Sequence, residues 1–294
     1  MSETTYDTEI PAYLRPPRTL VMGVLNVTPN SFSDGGRWFD TDAAIAHGQS
    51  MLSSGADLID VGGESTAPGN DAVSVAEEID RVAPVISALA GQGALISCDT
   101  MHAETARAAW KAGAKIINDV SGGMVDSEMF SVVAEIMGEN PEVSYLCQHW
   151  RGHLKDANRL AVYENPHLEV WQELRERLEV MRERGDIDLR RVIIDPGLGF
   201  SKQGDQDWDV LANLDTYLGR GFPVLVGPSR KRFLADYETH TVERHARDDV
   251  TASLAFFCAL KGAWAVRVHQ VEPVVVGIRA LEKLKEFHEP RTVL

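Results

Sequence analysis

From Thr19 onward the chain alternates short runs of β-branched and other apolar residues with longer segments whose apolar positions recur every three or four residues. Eight runs read as strands: Thr19 to Leu25, Asp57 to Val61, Ala94 to Cys98, Lys115 to Asn118, Val143 to Cys147, Arg191 to Ile194, Pro223 to Val226 and Ala263 to Val268. Short apolar runs separated by amphipathic segments suit parallel strands buried on both faces, with helices covering the outside. The clearest helix is predicted over Pro166 to about Arg184: Trp171, Leu174, Leu178 and Met181 form one stripe, proline suits the first turn and Gly185 suits the C-cap. Eight such units in 294 residues, with no linker or internal repeat, predict one (β/α)8 TIM barrel over residues 19–294 behind an N-terminal extension, 1–18. An open doubly wound sheet is the alternative. The polar stretch Tyr237 to Asp248 is expected to be a surface excursion within a βα loop.

Nearly every predicted strand ends in a polar or glycine-rich turn: Asn26, Asp60 to Glu64, Asp99, Asn118-Asp119, His149, Asp195-Pro196-Gly197, Ser229 to Lys231 and Arg267 to His269. In a barrel these ends converge on the C-terminal face, where catalytic groups sit. Any one of them could equally cap a helix or close an Asx turn. Asp99 and Asp195 lie in turns already supplied with Thr100 or Pro-Gly, which favours a ligand role. A buried carboxylate offers only acceptors and grips the N–H edge of a heterocycle through charge-assisted hydrogen bonds. Lys231, Arg267 and His269 supply positive charge, and the two-residue spacing of the last two sends both to one side of an extended strand end. That arrangement suits a phosphate clamp, with a surface salt-bridge pair as the bland reading.

The 29 lysines and arginines against 44 acidic residues give a net charge of −15, which repels nucleic acid and anionic membranes and makes any phosphate site local. The first ten residues do not resemble a secretory signal and no apolar run is long enough to span a bilayer, so a cytoplasmic protein is expected. Cys98, Cys147 and Cys258 are odd in number and lack CxxC spacing, which suits reduced core thiols. GxGxxG, P-loop and HExxH sequences are absent.

Seven stretches together resemble the dihydropteroate synthase family: Met22 to Gly36 (MGVLNVTPNSFSDGG), Asp60 to Gly69 (DVGGESTAPG), Ser97 to Thr100 (SCDT), Ile117 to Gly122 (INDVSG), Asp195 to Lys202 (DPGLGFSK), Val226 to Phe233 (VGPSRKRF) and Arg267 to His269 (RVH). The resemblance implies a transferase of folate biosynthesis that joins 6-hydroxymethyl-7,8-dihydropterin diphosphate to p-aminobenzoate, releasing diphosphate. It implies that Asp99, Asn118, Asp195 and Lys231 hold the pterin and that Asn26 ligates Mg2+. Thr66, Arg267 and His269 would contact the diphosphate, while Phe200 and the loops Thr28 to Gly36 and Ser65 to Gly69 close around p-aminobenzoate. Asp99, Lys231, Arg267 and His269 are the catalytic candidates. His149 to Gly152 resembles the family's segment after strand five and is assigned to the pocket wall. A homodimer is implied, for which the stretch Thr251 to Phe287 offers apolar faces.

The chain departs from the family pattern at Asn30 and Gln270, where aspartate is usual, and at Ala67, where arginine is usual. Two further readings follow: a diverged pterin-binding paralogue with weak or different transferase activity, and a folate-dependent methyltransferase, whose barrels share the pterin-binding turns.

Overall fold

The computed structural model describes residues 10–28, 37–64, 73–152, 157–184, 187–238 and 245–287. The elements run β1 (Leu20–Asn26), α1 (Arg37–Ser53), β2 (Leu58–Gly62), α2 (Val75–Ala90), β3 (Leu95–Asp99), α3 (Ala103–Ala112), β4 (Ile116–Asp119), α4 (Met129–Glu139) and β5 (Ser144–Gln148). They continue through α5 (Ala157–Leu160), α6 (Pro166–Arg184), β6 (Val192–Asp195), α7 (Gln206–Ala212), β7 (Leu225–Val226), α8 (Asp248–Lys261), β8 (Ala265–Val268) and α9 (Glu272–Glu286). All strand pairs are parallel, in the order β6-β5-β4-β3-β2-β1-β8-β7. A bridge between Ile194 and Val224, with the Ile194 N–H donating to the Pro223 carbonyl at 2.9 Å, closes β6 on β7. The predicted barrel is therefore present and the open sheet is not.

Each predicted strand is found, most of them displaced by one residue toward the C-terminus. The polar residue that ends several apolar runs still pairs in the ladder: Asn26 lies opposite Gly62, Asp99 opposite Asn118, and Asp195 opposite Gln148. Strand β7 is shorter than the predicted Pro223 to Val226, with Val224 contributing only its bridge. Helix α6 has the predicted span; Leu174, Leu178 and Met181 are buried and Trp171 packs half-buried beside them. Val170 is buried on the same face and was missed, whereas Gly185 lies outside the described residues.

Period-two alternation along the strands builds two cores. Outward-facing Ile59, Val61, Ile96, Cys98, Ile117, Tyr145, Ile194 and Val266 pack under the helices. Inward-facing Met22, Leu58, Ile116, Leu146, Ile193, Leu225 and Ala265 fill the lower barrel together with Leu14. The next inward position along several strands is polar: Asp60 after Leu58, Asn118 after Ile116, Gln148 after Leu146, Asp195 after Ile193 and Arg267 after Ala265. One register step therefore takes the interior from apolar plug to polar floor. Below the plug, Tyr13 donates its hydroxyl to the Glu142 carbonyl at 2.8 Å, and Trp264 Nε1 donates to the Tyr13 carbonyl at 2.7 Å. The described part of the N-terminal extension thus seals the bottom of the barrel. All three cysteines are free and buried, as reduced core thiols should be.

Candidate active site

Four strands meet at the centre of the polar floor. Arg267 reaches from β8 across the barrel, donating Nε to Asp60 Oδ2 at 2.7 Å and Nη2 to Asp99 Oδ2 at 2.8 Å. Asn118 donates Nδ2 to the same Asp60 oxygen at 2.9 Å. Asp60 is fully buried, so its charge is held by a guanidinium and a carboxamide instead of water. Burial raises the Asp99 carboxyl to about 7 against the pull of Arg267, with Asp60 and Glu78 adding to the rise. Three buried polar atoms here, Asp60 Oδ1, Ser97 Oγ and Asn118 Oδ1, have no partner among the described residues. Such groups are rare in folded interiors and mark places that a ligand or ordered water completes.

Beside this cluster the turn after β6 carries Asp195. Its Oδ1 accepts from the Gly197 N–H at 2.7 Å, and burial raises its carboxyl to about 6. Asp195 thus also has a partner in its own turn: Gly197, at φ 68°, turns its N–H back onto the carboxylate. Lys231 comes from the turn after β7. Its Nζ stands 4.2 Å from the centre of the Phe200 ring and finds no hydrogen-bond acceptor among the described residues. Burial, then the nearby Arg267 charge, lowers this ammonium to about 8. The backbone N–H of Arg230, held at φ 58°, donates to Thr251 Oγ1 while its guanidinium pairs with Asp248 at 2.8 Å, which fixes the turn presenting Lys231.

His269 does not carry the positive charge expected of it. Its backbone N–H donates to Ser229 Oγ at 3.2 Å, and the same hydroxyl lies 2.9 Å from His269 Nδ1. In the tautomer where Ser229 gives its hydrogen to Nδ1, the ring proton stands on Nε2. Burial, followed by Arg230, Arg267 and Lys231, depresses this imidazole to about 3, so it is a neutral donor. Asp99 keeps its ligand-facing place at the end of β3 with Arg267 bound to its Oδ2. Asn26 Oδ1 and Asp99 Oδ2 converge on Gly62, each 3.7 Å from where a Cβ on that glycine would stand. The floor thus gathers Asn26, Asp99, Asn118, Asp195, Phe200, Lys231, Arg267 and His269 from the predicted set. Thr66, Asn30 and Ala67 lie outside the described residues, as do most of the loops Thr28 to Gly36 and Ser65 to Gly69. Gln270 is described, half-buried at the end of β8. The Tyr237 to Asp248 excursion does lie between β7 and α8, and where it is described Arg247 ties Glu238 to the Lys231 turn, donating to the Lys231 carbonyl at 3.3 Å.

Asp60 and Lys202 were not singled out as site residues, although both lie in the quoted motifs. Inward alternation from Leu58 would have found Asp60. Lys202 gave no such signal, since its burial depends on the fold of the β6–α7 turn. Glu78 was also missed: it accepts from Thr105 Oγ1 at 2.6 Å and from His102 Nδ1 at 2.9 Å, bracing α2 against α3. His149 is buried as expected of a wall residue, and Arg151 is drawn outward by Glu169 and Glu173.

A pterin-binding barrel is the class that this fold and floor define. The family of pterin binding enzymes matches residues 22–269, and the chain belongs to it. A dihydropteroate synthase of Mycobacterium leprae (strain TN) is 42% identical over 269 residues, covering 89% of this chain and 92% of its own. The structure of Xanthomonas albilineans dihydropteroate synthase with 4-aminobenzoic acid superposes with TM-score 0.80 at 38% identity, covering 92% of this chain and 94% of that one. The Anaplasma phagocytophilum dihydropteroate synthase with bound 6-hydroxymethylpterin-monophosphate gives TM-score 0.79 at 34% identity, over 91% of this chain and 99% of the other.

Proposed function

We propose that this chain is a dihydropteroate synthase, condensing 6-hydroxymethyl-7,8-dihydropterin diphosphate with p-aminobenzoate to give 7,8-dihydropteroate and diphosphate. The observation that carries the reading is the convergence of Asp99, Asn118, Asp195 and Lys231 around a floor where Asp60 Oδ1, Ser97 Oγ and Asn118 Oδ1 have no partner among the described residues. Acceptors on Asp99, Asp195 and Asn118 Oδ1 match the N–H edge of a pterin, and the Lys231 ammonium donates to its ring carbonyl or nitrogen. Arg267 keeps Nη1 without an acceptor among the described residues, and neutral His269 has its Nε2 hydrogen to give. These two donors, with Thr66, stabilise the charge that grows on the departing diphosphate. The methylene C–O bond breaks as the aromatic amine forms the new C–N bond, and the amine proton leaves with the products. Asp99, beside the pterin, stabilises cationic character at that carbon. No side-chain nucleophile is needed.

Asn26 fits a Mg2+ site of the kind such substrates use. Its carboxamide has no hydrogen-bond partner among the described residues. Mg2+ keeps several waters and takes phosphate oxygens from its substrate, so one protein oxygen is enough. When bound, the ion supplies Lewis-acid stabilisation to the diphosphate.

The enzyme is read as a cytoplasmic homodimer. No helix among the described residues is long and apolar enough to cross a membrane. Leu260, Val276, Leu284 and Phe287 on and beside α8 and α9 are exposed apolar side chains suited to a self-contact. The purified protein, given both substrates and Mg2+, is expected to form dihydropteroate. Pterin binding without that product would support a diverged paralogue, a reading that Ala67 in place of the family's arginine favours, and methyl transfer from a folate would move the activity to another class.

A further inference from the structure

The buried Lys202 amine touches no carboxylate within ion-pair distance among the described residues, yet all three of its donors have acceptors. Nζ donates to the Gly197 carbonyl at 2.9 Å, the Phe200 carbonyl at 3.1 Å and His149 Nδ1 at 3.1 Å. Its side chain is only 2% exposed, so the charge is solvated by the protein instead of by water. The two carbonyls flank the turn that carries Asp195 at one end and Phe200 at the other. His149 ties that turn to the barrel from the other side, since its backbone N–H donates to the Asp195 carbonyl at 2.8 Å. Its Nε2 in turn meets Glu173 at 3.1 Å. Burial, then the Lys202 charge, depresses this imidazole to about 4, so it presents a neutral Nδ1 lone pair to the amine.

The backbone immediately after the Phe200 carbonyl is under tension. Ser201 sits at φ 47°, a left-handed conformation rare outside glycine, and its Oγ is buried without a partner among the described residues. Its carbonyl is held by the Tyr163 hydroxyl at 3.0 Å. A turn built this way needs an anchor that outweighs its strain, and a buried ammonium with three charge-assisted hydrogen bonds supplies one.

We propose that Lys202 is a positioning residue for the synthase reaction: by cross-linking the Gly197 and Phe200 carbonyls to His149 it aims the Asp195 carboxylate at the pterin. The proposal rests on the reading of the barrel floor as a pterin site. Lys202 acts through Asp195 without touching substrate, and this separates it from Lys231, whose ammonium faces the floor.

The test is a double-mutant cycle on the full-length protein, with binding of 6-hydroxymethyl-7,8-dihydropterin diphosphate in Mg2+ measured by titration calorimetry. Lys202→Met is expected to weaken binding by about tenfold or more, as a displaced binding group would. In an Asp195→Asn background the same change is expected to weaken binding by no more than about threefold, while in Asp99→Asn the full loss returns. Wild-type affinity in Lys202→Met, or equal losses in both backgrounds, would overturn the proposal, the second result marking a merely structural lysine. Should Lys202→Met not fold, His149→Gln removes one of the three acceptors and is expected to weaken binding in the same direction, and unchanged binding there overturns the proposal too. Failure of the wild-type protein to bind the pterin would instead remove the functional reading itself.

Discussion

Burial raises Asp195 to about 6, and this has opposite consequences for stability and for binding. Its folded value lies above the unfolded one, about 3.9 for aspartate. The folded state is therefore penalised progressively as pH rises from about 4 through 6, and the penalty is fully present at pH 8. Asparagine can still accept from the Gly197 N–H and has no charge to desolvate. Asp195→Asn is expected to stabilise the free protein at pH 8 by about 1–3 kcal/mol in urea unfolding, with no gain at pH 4. The same variant is expected to bind pterin more weakly, and wild-type pterin affinity should itself fall as pH drops through 6 and the carboxylate is protonated. Equal stability of the two proteins at pH 8 would show that the carboxyl is not raised. Asp60 makes an ion pair with Arg267 at 2.7 Å and also accepts from Asn118. Asp60→Ala leaves Arg267 half-paired and Asn118 unanchored and is expected to cost about 3 kcal/mol in the same measurement. Residue type and strand-end position marked Asp99, Asp195 and Lys231, the family resemblance added Asn118 to them, and the structure brings the four to one floor. The neutrality of His269 was not readable, because it depends on the burial of the ring and on the Arg230, Arg267 and Lys231 charges that the fold gathers around it.

At the scale of elements, the turn after β6 shows how closely backbone and site are coupled. A Cβ on Gly197 would stand 2.3 Å from the His149 carbonyl oxygen, at a backbone φ of 68°. Gly197→Ala is expected to destabilise by about 2 kcal/mol or more and to weaken pterin binding, because relief requires moving the turn that holds Asp195. A variant with unchanged urea midpoint would mean that the turn adapts freely. The strands themselves were visible in the sequence because both-face burial writes continuous apolar runs. Their ends were set one residue early, since Asn26, Asp99 and Asp195 look like turn residues by type but still pair in the ladder. Helix α6 was found over its full length from spacing and its proline start. Lys202 stayed hidden because a lysine in a polar turn looks solvated until the turn folds over it.

Across the whole molecule, the net negative charge contrasts with the cationic residues gathered at the barrel floor. The sequence carries a net charge of −15, while the cationic Arg267 and Lys231 stand together at the barrel floor, where the proposed function puts one small anion. The proposed homodimer is tested by sedimentation: paired Val276→Glu and Leu284→Glu changes are expected to convert a dimer to monomers, and an already monomeric wild type would refute the assembly. The fold class was readable because eight βα units leave few ways to close a sheet, and the sealing of its lower end by Tyr13 and Leu14 was not, since nothing in their local sequence points to the barrel. The most direct test of the catalytic reading is diphosphate release from 6-hydroxymethyl-7,8-dihydropterin diphosphate and Mg2+, with and without p-aminobenzoate, in wild type and Asp99→Asn. Release coupled to dihydropteroate formation, strongly reduced in Asp99→Asn, is the expected result. Release or product formation left unchanged by Asp99→Asn, or tight pterin binding with no release, would contradict it.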